Sequence, residues 1–317
     1  MKLTIIVPVW NRKDRVVRTL DSIAASRNHD FELLVVDNGS TDDSLAVCQQ
    51  WAWAHCDDGF PIQVLSELRQ GAAAARNRGL QACQTEYVYF FDSDDLLSDD
   101  FIGDVLKVVK KGAYDMLFAP VRMEVNGQQR VRDYVRGGGF SEHVLTSMMG
   151  THSMVFNTRW LRGIGGWNEE MRVWNDWELG ARALLAKPSI YWMEGKEYHR
   201  ILVHDNSLTG SGFSHSWEAQ VKAMQCVYDE LSHASGLTDR ERRRGLRSLY
   251  LRAKIVEGQL RKERCTEGAA AYHQMAADIY AHPVKPLRLL GVMLCDYTAV
   301  GGRGAWRLAL RLVRWNS

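Results

Sequence analysis

The chain has 317 residues, 46% of them hydrophobic, which suits one large globular domain or a domain with an appendage. The net charge of +2 hides an asymmetry: residues 1–239 carry 24 Lys+Arg against 32 Asp+Glu (−8), and residues 240–317 carry 16 against 6 (+10). No run reaches the roughly 20 apolar residues a membrane-crossing helix needs, and the six cysteines show no metal-type spacing, so a membrane-embedded enzyme and a zinc module are both excluded.

With no signal peptide and Met1-Lys2 leading straight into a strand, the expectation is a cytoplasmic protein with reduced thiols and nothing ahead of the fold. Strand and helix signals then alternate. Leu3-Thr4-Ile5-Ile6-Val7-Pro8-Val9 predicts a strand and residues 14–25 a helix. Residues 32–36 form the next strand, and 42–53 a helix introduced by the capping types Ser40 and Thr41. A strand over 62–65 and an alanine-rich helix over 72–83 follow, the alanines predicting tight helix–sheet packing. Such β-α-β repetition implies a parallel sheet with helices on both faces. Residues 113–212 are less regular, with strands predicted at 116–121 and 154–157 and a glycine joint at 137–139. From Trp217 the pattern is helical, near 216–234, 239–263, 266–281 and 304–315, while the apolar stretch 287–295 is interrupted by Arg288.

The most informative element is Asp92-Ser93-Asp94-Asp95, directly after the apolar run Tyr87-Val88-Tyr89-Phe90-Phe91. Ligands of open α/β sheets gather beyond the carboxyl ends of such strands. Carboxylates crowded there repel unless a cation or hydrogen-bond donor intervenes, and a hard divalent ion bridging a phosphate is the simplest resolution. Capping of the next helix by Asp95 or Ser98 accounts for one carboxylate, not three. Asp37 ends the second strand, where it accepts from a nucleobase or ribose or merely opens a turn before Gly39.

Four blocks, Ile5-Ile6-Val7-Pro8-Val9-Trp10-Asn11-Arg12, Val35-Val36-Asp37-Asn38-Gly39-Ser40-Thr41-Asp42, Gly71-Ala72-Ala73-Ala74-Ala75-Arg76-Asn77-Arg78-Gly79-Leu80 and Phe91-Asp92-Ser93-Asp94-Asp95, resemble glycosyltransferase family 2 in order and spacing. A fifth, Gly165-Gly166-Trp167-Asn168-Glu169-Glu170 with Trp174-Asn175-Asp176-Trp177-Glu178-Leu179, resembles that family's later catalytic segment. The resemblance implies an α/β fold of GT-A type, a mostly parallel sheet flanked by helices, with a helical C-terminal extension. It implies a catalytic domain over 1–213 (a nucleotide-binding half, 1–100, and an acceptor half, 101–213) and a basic extension over 214–317. It also implies an inverting, metal-dependent transfer from a nucleoside diphosphate sugar, a UDP-sugar first, to an acceptor hydroxyl in bacterial surface polysaccharide synthesis.

By the same resemblance the donor is held by Pro8, Val9, Asn11, Asp37, Gly71, Arg76, Asp92, Ser93 and Asp94. Asp37 reads the base, and Arg76 contacts base or diphosphate. Asp94 ligates Mn²⁺ or Mg²⁺ while Asp92 reaches the ribose or a metal-bound water. His204, better aligned than His199, is the second metal ligand, and Arg200 is a diphosphate contact. Asp176 is the general base, with Glu178 its competitor. Departures from the pattern are Asn38 for a second aspartate, Arg69 for an asparagine and Asn175 for a glutamate. His152 faces the acceptor or is structural.

The C-terminal segment places Arg307, Arg311 and Arg314 on one helical stripe and Leu308, Leu312 and Trp315 on another. That predicts either peripheral contact with an anionic membrane or packing against the protein. No nucleic-acid module is present, and Glu241 to Arg247 reads as a charged helix face. A dinucleotide-binding dehydrogenase lacks its G-x-G-x-x-G here, and a sugar-nucleotide pyrophosphorylase lacks its glycine-rich opening loop. The absence of Gln-x-x-Arg-Trp argues against a processive synthase. A non-catalytic glycan- or membrane-binding protein on the same fold is the remaining alternative.

Overall fold

The computed structural model describes residues 2–125, 128–131, 135–194, 198–203, 212–280 and 285–315. Its first half runs β1 (Leu3–Val9), α1 (Val16–Ala24), β2 (Phe31–Asp37), α2 (Ser44–Ala54), β3 (Ile62–Ser66), α3 (Ala72–Ala82), β4 (Tyr87–Phe90), β5 (Leu96–Leu97) and α4 (Phe101–Val109). There follow β6 (Met116–Phe118), β7 (Arg122–Val125), β8 (Gln128–Val131), α5 (Phe140–Thr146), β9 (Met154–Asn157), α6 (Thr158–Gly163), α7 (Asn175–Leu185), β10 (Ile190–Trp192) and β11 (His199–Val203). Five helices close the chain: α8 (Trp217–His233), α9 (Asp239–Lys262), α10 (Thr266–Ile279), α11 (Lys285–Ala299) and α12 (Ala305–Trp315).

Seven strands form one sheet in the order β10-β6-β9-β4-β1-β2-β3. It is parallel except where β9 runs against β4 and β6. β1, β2 and β4 are buried almost throughout, because helices cover both faces, and this is why they read as unbroken apolar runs. The alanine run of α3 lets that helix lie close on β1. A Cβ added at Gly79 would sit 2.5 Å from Cγ2 of Ile6. A second sheet, in the order β5-β11-β7-β8, went unpredicted from the sequence.

The chain divides into two compact units. The first, Met1–Arg132 with Met149–Arg172 and Pro188–Asp205, holds both sheets. The second, Asp133–Met148 with Val173–Lys187 and Asn206–Ser317, gathers α5 and α7 with the five C-terminal helices. Its centre is α9, which packs against α5, α8, α10, α11 and α12. A capping box starts α9: Glu241 N donates to Thr238 Oγ1 (3.2 Å) and Thr238 N to Glu241 Oε2 (2.7 Å). Arg242 caps the end of α8 through Ser232 O and Ala234 O, and Arg244 pairs with Glu142 at 2.6 Å, so these two arginines are structural ties. The buried Glu257 accepts from Lys254, Arg261 and His273; burial pushes its carboxyl up, but these donors outweigh it and hold it low. No helix among the described residues is long and apolar enough to cross a membrane.

Candidate active site

The acidic turn sits immediately beyond β4. Asp92 Oδ1 accepts from Arg76 Nη2 at 2.7 Å, and Asp92 Oδ2 lies 3.6 Å from His152 Nε2. The buried Asp95 pairs with the same imidazole nitrogen at 2.8 Å, and its carbonyl accepts from Thr19 Oγ1. Burial alone would push the Asp92 carboxyl up, but Arg76, His152 and Arg12 prevail and hold it below the usual range. For His152 burial pushes down, and the two carboxylates overcome it and lift its pKa. His152 thus lies between the two carboxylates, 3.6 Å from Asp92 Oδ2 and 2.8 Å from Asp95 Oδ2. Beneath it, the buried His199 meets Tyr89 Oη at 2.9 Å, and Tyr89 donates to His152 O at 3.0 Å. Burial, and then the charge of His152, drive the His199 pKa well down, so it is a neutral core residue. Arg200 is exposed on β11, and His204 lies outside the described residues.

The ends of β1 and β2 meet beside this turn. Asp37 is paired in register with Val9, and Asp37 Oδ2 accepts from Ser40 N at 3.2 Å. Its Oδ1 is buried without a hydrogen-bond partner among the described residues. Asn11 adopts φ 51, a left-handed conformation asparagine tolerates, and its side-chain oxygen accepts from Thr41 N at 2.8 Å. Pro8, Val9 and Asn11 thus lie against the β2 strand end and the loop that follows it. Asn38 is a hub the sequence did not reveal. Its Nδ2 donates to Glu67 O (3.0 Å) and Arg69 O (2.7 Å), and its Oδ1 accepts from Gly71 N (2.8 Å). Gly71 takes φ 133, which only glycine adopts easily, and open space surrounds the position of its missing Cβ.

Arg76, on α3, is nearly fully buried with its guanidinium 4.4 Å over the Trp167 ring, and its Nε and Nη1 have no hydrogen-bond partner among the described residues. Arg69 replaces the usual asparagine with an ion bridge: it grips Glu67 through two nitrogens (3.1 and 2.9 Å) and reaches Glu169 at 2.7 Å. Asn77 fastens the same segment, exchanging hydrogen bonds with the Trp167 backbone. The structure therefore brings together Pro8, Val9, Asn11, Asp37, Gly71, Arg76, Asp92, Ser93 and Asp94 around the carboxyl ends of β1, β2 and β4.

Asp176 lies in the second unit, in the first turn of α7, half-buried, with Oδ1 accepting from Trp177 N at 2.8 Å. Glu178 is buried and committed to Arg182 at 2.7 and 3.0 Å. Sequence reading missed Arg252, whose buried guanidinium stacks over Trp174 (4.3 Å) and Trp177 (4.5 Å) and donates to Val144 O at 2.6 Å. Burial brings its pKa down to about 10, against the opposing charges of Tyr272 and Asp176. Trp174 is held at φ 55, uncommon for so bulky a residue, at the entry to α7.

Two sets of groups could hold a cation. Asp92, Asp95 and His152 place ligand-type atoms within 4.8 Å of one another. Arg76 Nη2 already occupies one oxygen of Asp92 at 2.7 Å, so a cation at this cluster would share that carboxylate with the guanidinium. Asp94, the other carboxylate of the turn, is partly exposed and stands 3.3 Å from Arg12 Nη2; carboxylate oxygens are donors of the type that suits Mn²⁺ or Mg²⁺.

Residues 4–162, half of the chain, match the family model described as Glycosyl transferase family 2. An uncharacterized glycosyltransferase of Rickettsia felis is 29% identical over 151 residues, 47% of this chain and 24% of that protein. The chain thus spans about a quarter of that relative's length. Staphylococcus aureus TarS 1-349, solved with UDP-GlcNAc, superposes with a TM-score of 0.71 at 19% identity, covering 100% of this chain and 93% of that one. A mannosyltransferase of Pyrobaculum calidifontis, solved with GDP-Man and Mn²⁺, superposes with a TM-score of 0.61 at 16% identity, covering 100% and 88%. These two likenesses concern the fold, which is of GT-A type. By the family match over half its length, the chain belongs to glycosyltransferase family 2.

Proposed function

We propose that the protein is a metal-dependent, inverting transferase that moves a sugar from a UDP-sugar to an acceptor hydroxyl. The observation that carries the reading is the pairing, at nearby strand ends, of the open carboxylate oxygen of Asp37 with an acidic turn backed by the buried Arg76. β1 separates β2 from β4, so these ends stand two strand spacings apart, about 10 Å. That leaves room for a nucleoside at one end and its diphosphate at the other. Asp37 suits the imide N–H of uracil, and the unfilled N–H groups of Arg76 suit a base carbonyl or a phosphate. The solved neighbours, one in complex with UDP-GlcNAc and the other with GDP-Man and Mn²⁺, support a nucleoside diphosphate sugar and a divalent ion.

Asp94 would hold the ion, with His204 as second ligand and Asp92 oriented by Arg76 towards the ribose or a metal-bound water. When bound, the ion neutralises charge on the departing diphosphate. Asp176 takes the proton of the acceptor hydroxyl; the pairing of Glu178 with Arg182 supports this choice over the competing carboxylate. Displacement opposite the leaving group inverts the anomeric centre. Within this reading, residues 1–213 form the catalytic domain, the acceptor is a surface glycan, lipid-linked, and the enzyme works peripherally at the inner face of an anionic membrane.

A panel of UDP-, GDP- and dTDP-sugars with Mn²⁺, scored by slow donor hydrolysis, tests the reading. Hydrolysis of one donor, abolished in Asp94→Asn and Asp176→Asn, is the expected result. Folded protein that neither binds nor hydrolyses any donor would overturn it in favour of a binding protein on the same fold.

A further inference from the structure

In the helical unit, α11 is locked in one rotational setting by α9. A Cβ added at Gly258 would fall 1.8 Å from Thr298 Oγ1, and one at Gly291 would fall 2.6 Å from Tyr250 Oη, so each glycine admits a side chain of the facing helix. Leu294, Cys295 and Thr298 are buried along that seam. The opposite face is thereby fixed outward, and it is largely apolar: Leu289 (62% exposed), Val292, Met293 (60%), Tyr297 and Val300 (84%) surround one exposed carboxylate, Asp296. Their spacing is i, i+3, i+4, i+8 and i+11, one stripe about 16 Å long. A face of this kind on a water-soluble unit needs an occupant.

Charge selects the occupant. Between residues 285 and 315 there are six Lys or Arg and one acidic residue, Asp296. Asp296 lies 3.9 Å from Arg261 Nη1. Arg288 and Arg303 are exposed at either end of the stripe, and Lys262 Nζ would meet a Cβ on Gly301 at 3.8 Å, beside the turn that follows Val300. Arg307 and Arg311 are exposed on α12. Two copies joined through this face would oppose like charges, whereas anionic headgroups complement it. α12 is seated on α5 and α9 through the buried Ala305, Ala309 and Val313, which leaves Leu308 exposed beside Arg307 and Arg311.

We infer that the α11 face is the surface by which this protein docks on an anionic lipid bilayer, the stripe entering the interface and the flanking basic residues, those of α12 included, meeting phosphates. This rests on the membrane-side reading proposed above and gives it a location. The test is co-sedimentation of the full chain with phosphatidylcholine vesicles with and without phosphatidylglycerol. The wild type should pellet with the anionic vesicles and only weakly with the neutral ones, less so at high salt. The triple variant Leu289→Ser, Met293→Ser, Val300→Ser changes exposed side chains only; it should lose pelleting several-fold and keep its far-UV spectrum and donor hydrolysis. Equal pelleting of variant and wild type, or no pelleting of either, overturns the proposal. So does light scattering showing a wild-type dimer that the variant converts to monomer. Donor hydrolysis measured without vesicles separates the two readings, because its absence alongside intact vesicle binding would sink the transferase and leave this surface standing.

Discussion

At Asn38 the choice between carboxamide and carboxylate follows from the direction of three hydrogen bonds. Two backbone carbonyls accept from its Nδ2, and a carboxylate would set oxygen against oxygen at both. Asn38→Asp should therefore destabilise the fold by about 1–3 kcal/mol, the range for a buried polar group left unpaired, read as a fall in the urea midpoint. The departure from the family's second aspartate is thus a local solution for holding the loop before α3. The two buried histidines respond to pH in opposite senses. His199 is neutral when folded, its pKa driven below the ordinary 6.5, so the stability it leaves intact above pH 6.5 declines as pH falls towards its folded value. The slope reaches about 1.4 kcal/mol per pH unit for one proton. His152, lifted above 6.5, contributes below that pH and loses its contribution as pH rises through the folded value. His199→Gln should flatten the fall in urea midpoint between pH 6.5 and 5 relative to wild type; an unchanged slope would show that His199 already carries a proton.

At the scale of elements, α3 depends on a close approach to β1. Gly79→Ala drives a methyl into Ile6 and should cost about 1–3 kcal/mol of stability, partly recovered in a double variant with Ile6→Ala. The entry to α7 depends on α9. Arg252 holds Trp174 and Trp177 by stacking and ties down Val144 O, so Arg252→Met should disturb the turn that presents Asp176 while leaving the first unit's strands intact. The expected signature is a fall in kcat with little change in donor affinity, and it counts only if the near-UV spectrum shows the tryptophans altered. Legibility also divides at this scale. β1, β2 and β4 stood out because each is buried on both faces, and their motifs sit at their ends. β5, β7, β8, β10 and β11 did not, being two to five residues long, with partners as distant as Leu97 and His199. α5 was hidden for a related reason: Glu142 and His143 are buried there only because Arg244 and Trp177, far along the chain, supply their partners.

For the whole molecule, the residues named for the proposed chemistry belong to two compact units, where the sequence suggested one continuous domain. Every residue assigned to the donor whose side chain is described belongs to the first unit, whereas the proposed base Asp176 and its support Arg252 belong to the second. Linear motif order could not reveal this, because residues 133–148 and 173–187 leave the sheet-bearing unit and pack with helices that begin after Trp217. Binding and turnover are expected to separate by residue. Asp37→Ala removes the acceptor proposed for the base, and Asp94→Asn removes the proposed metal ligand, so each should weaken UDP binding in the presence of Mn²⁺ by tenfold or more, about 1.4 kcal/mol. Asp176→Asn touches neither. It should bind UDP within about twofold of wild type by calorimetry yet lose roughly 10²–10⁴ in turnover, the usual contribution of a positioned base. Were Asp176→Asn instead to lose donor affinity along with rate, the carboxylate would be part of the donor site and the acceptor proton would have to leave by another route.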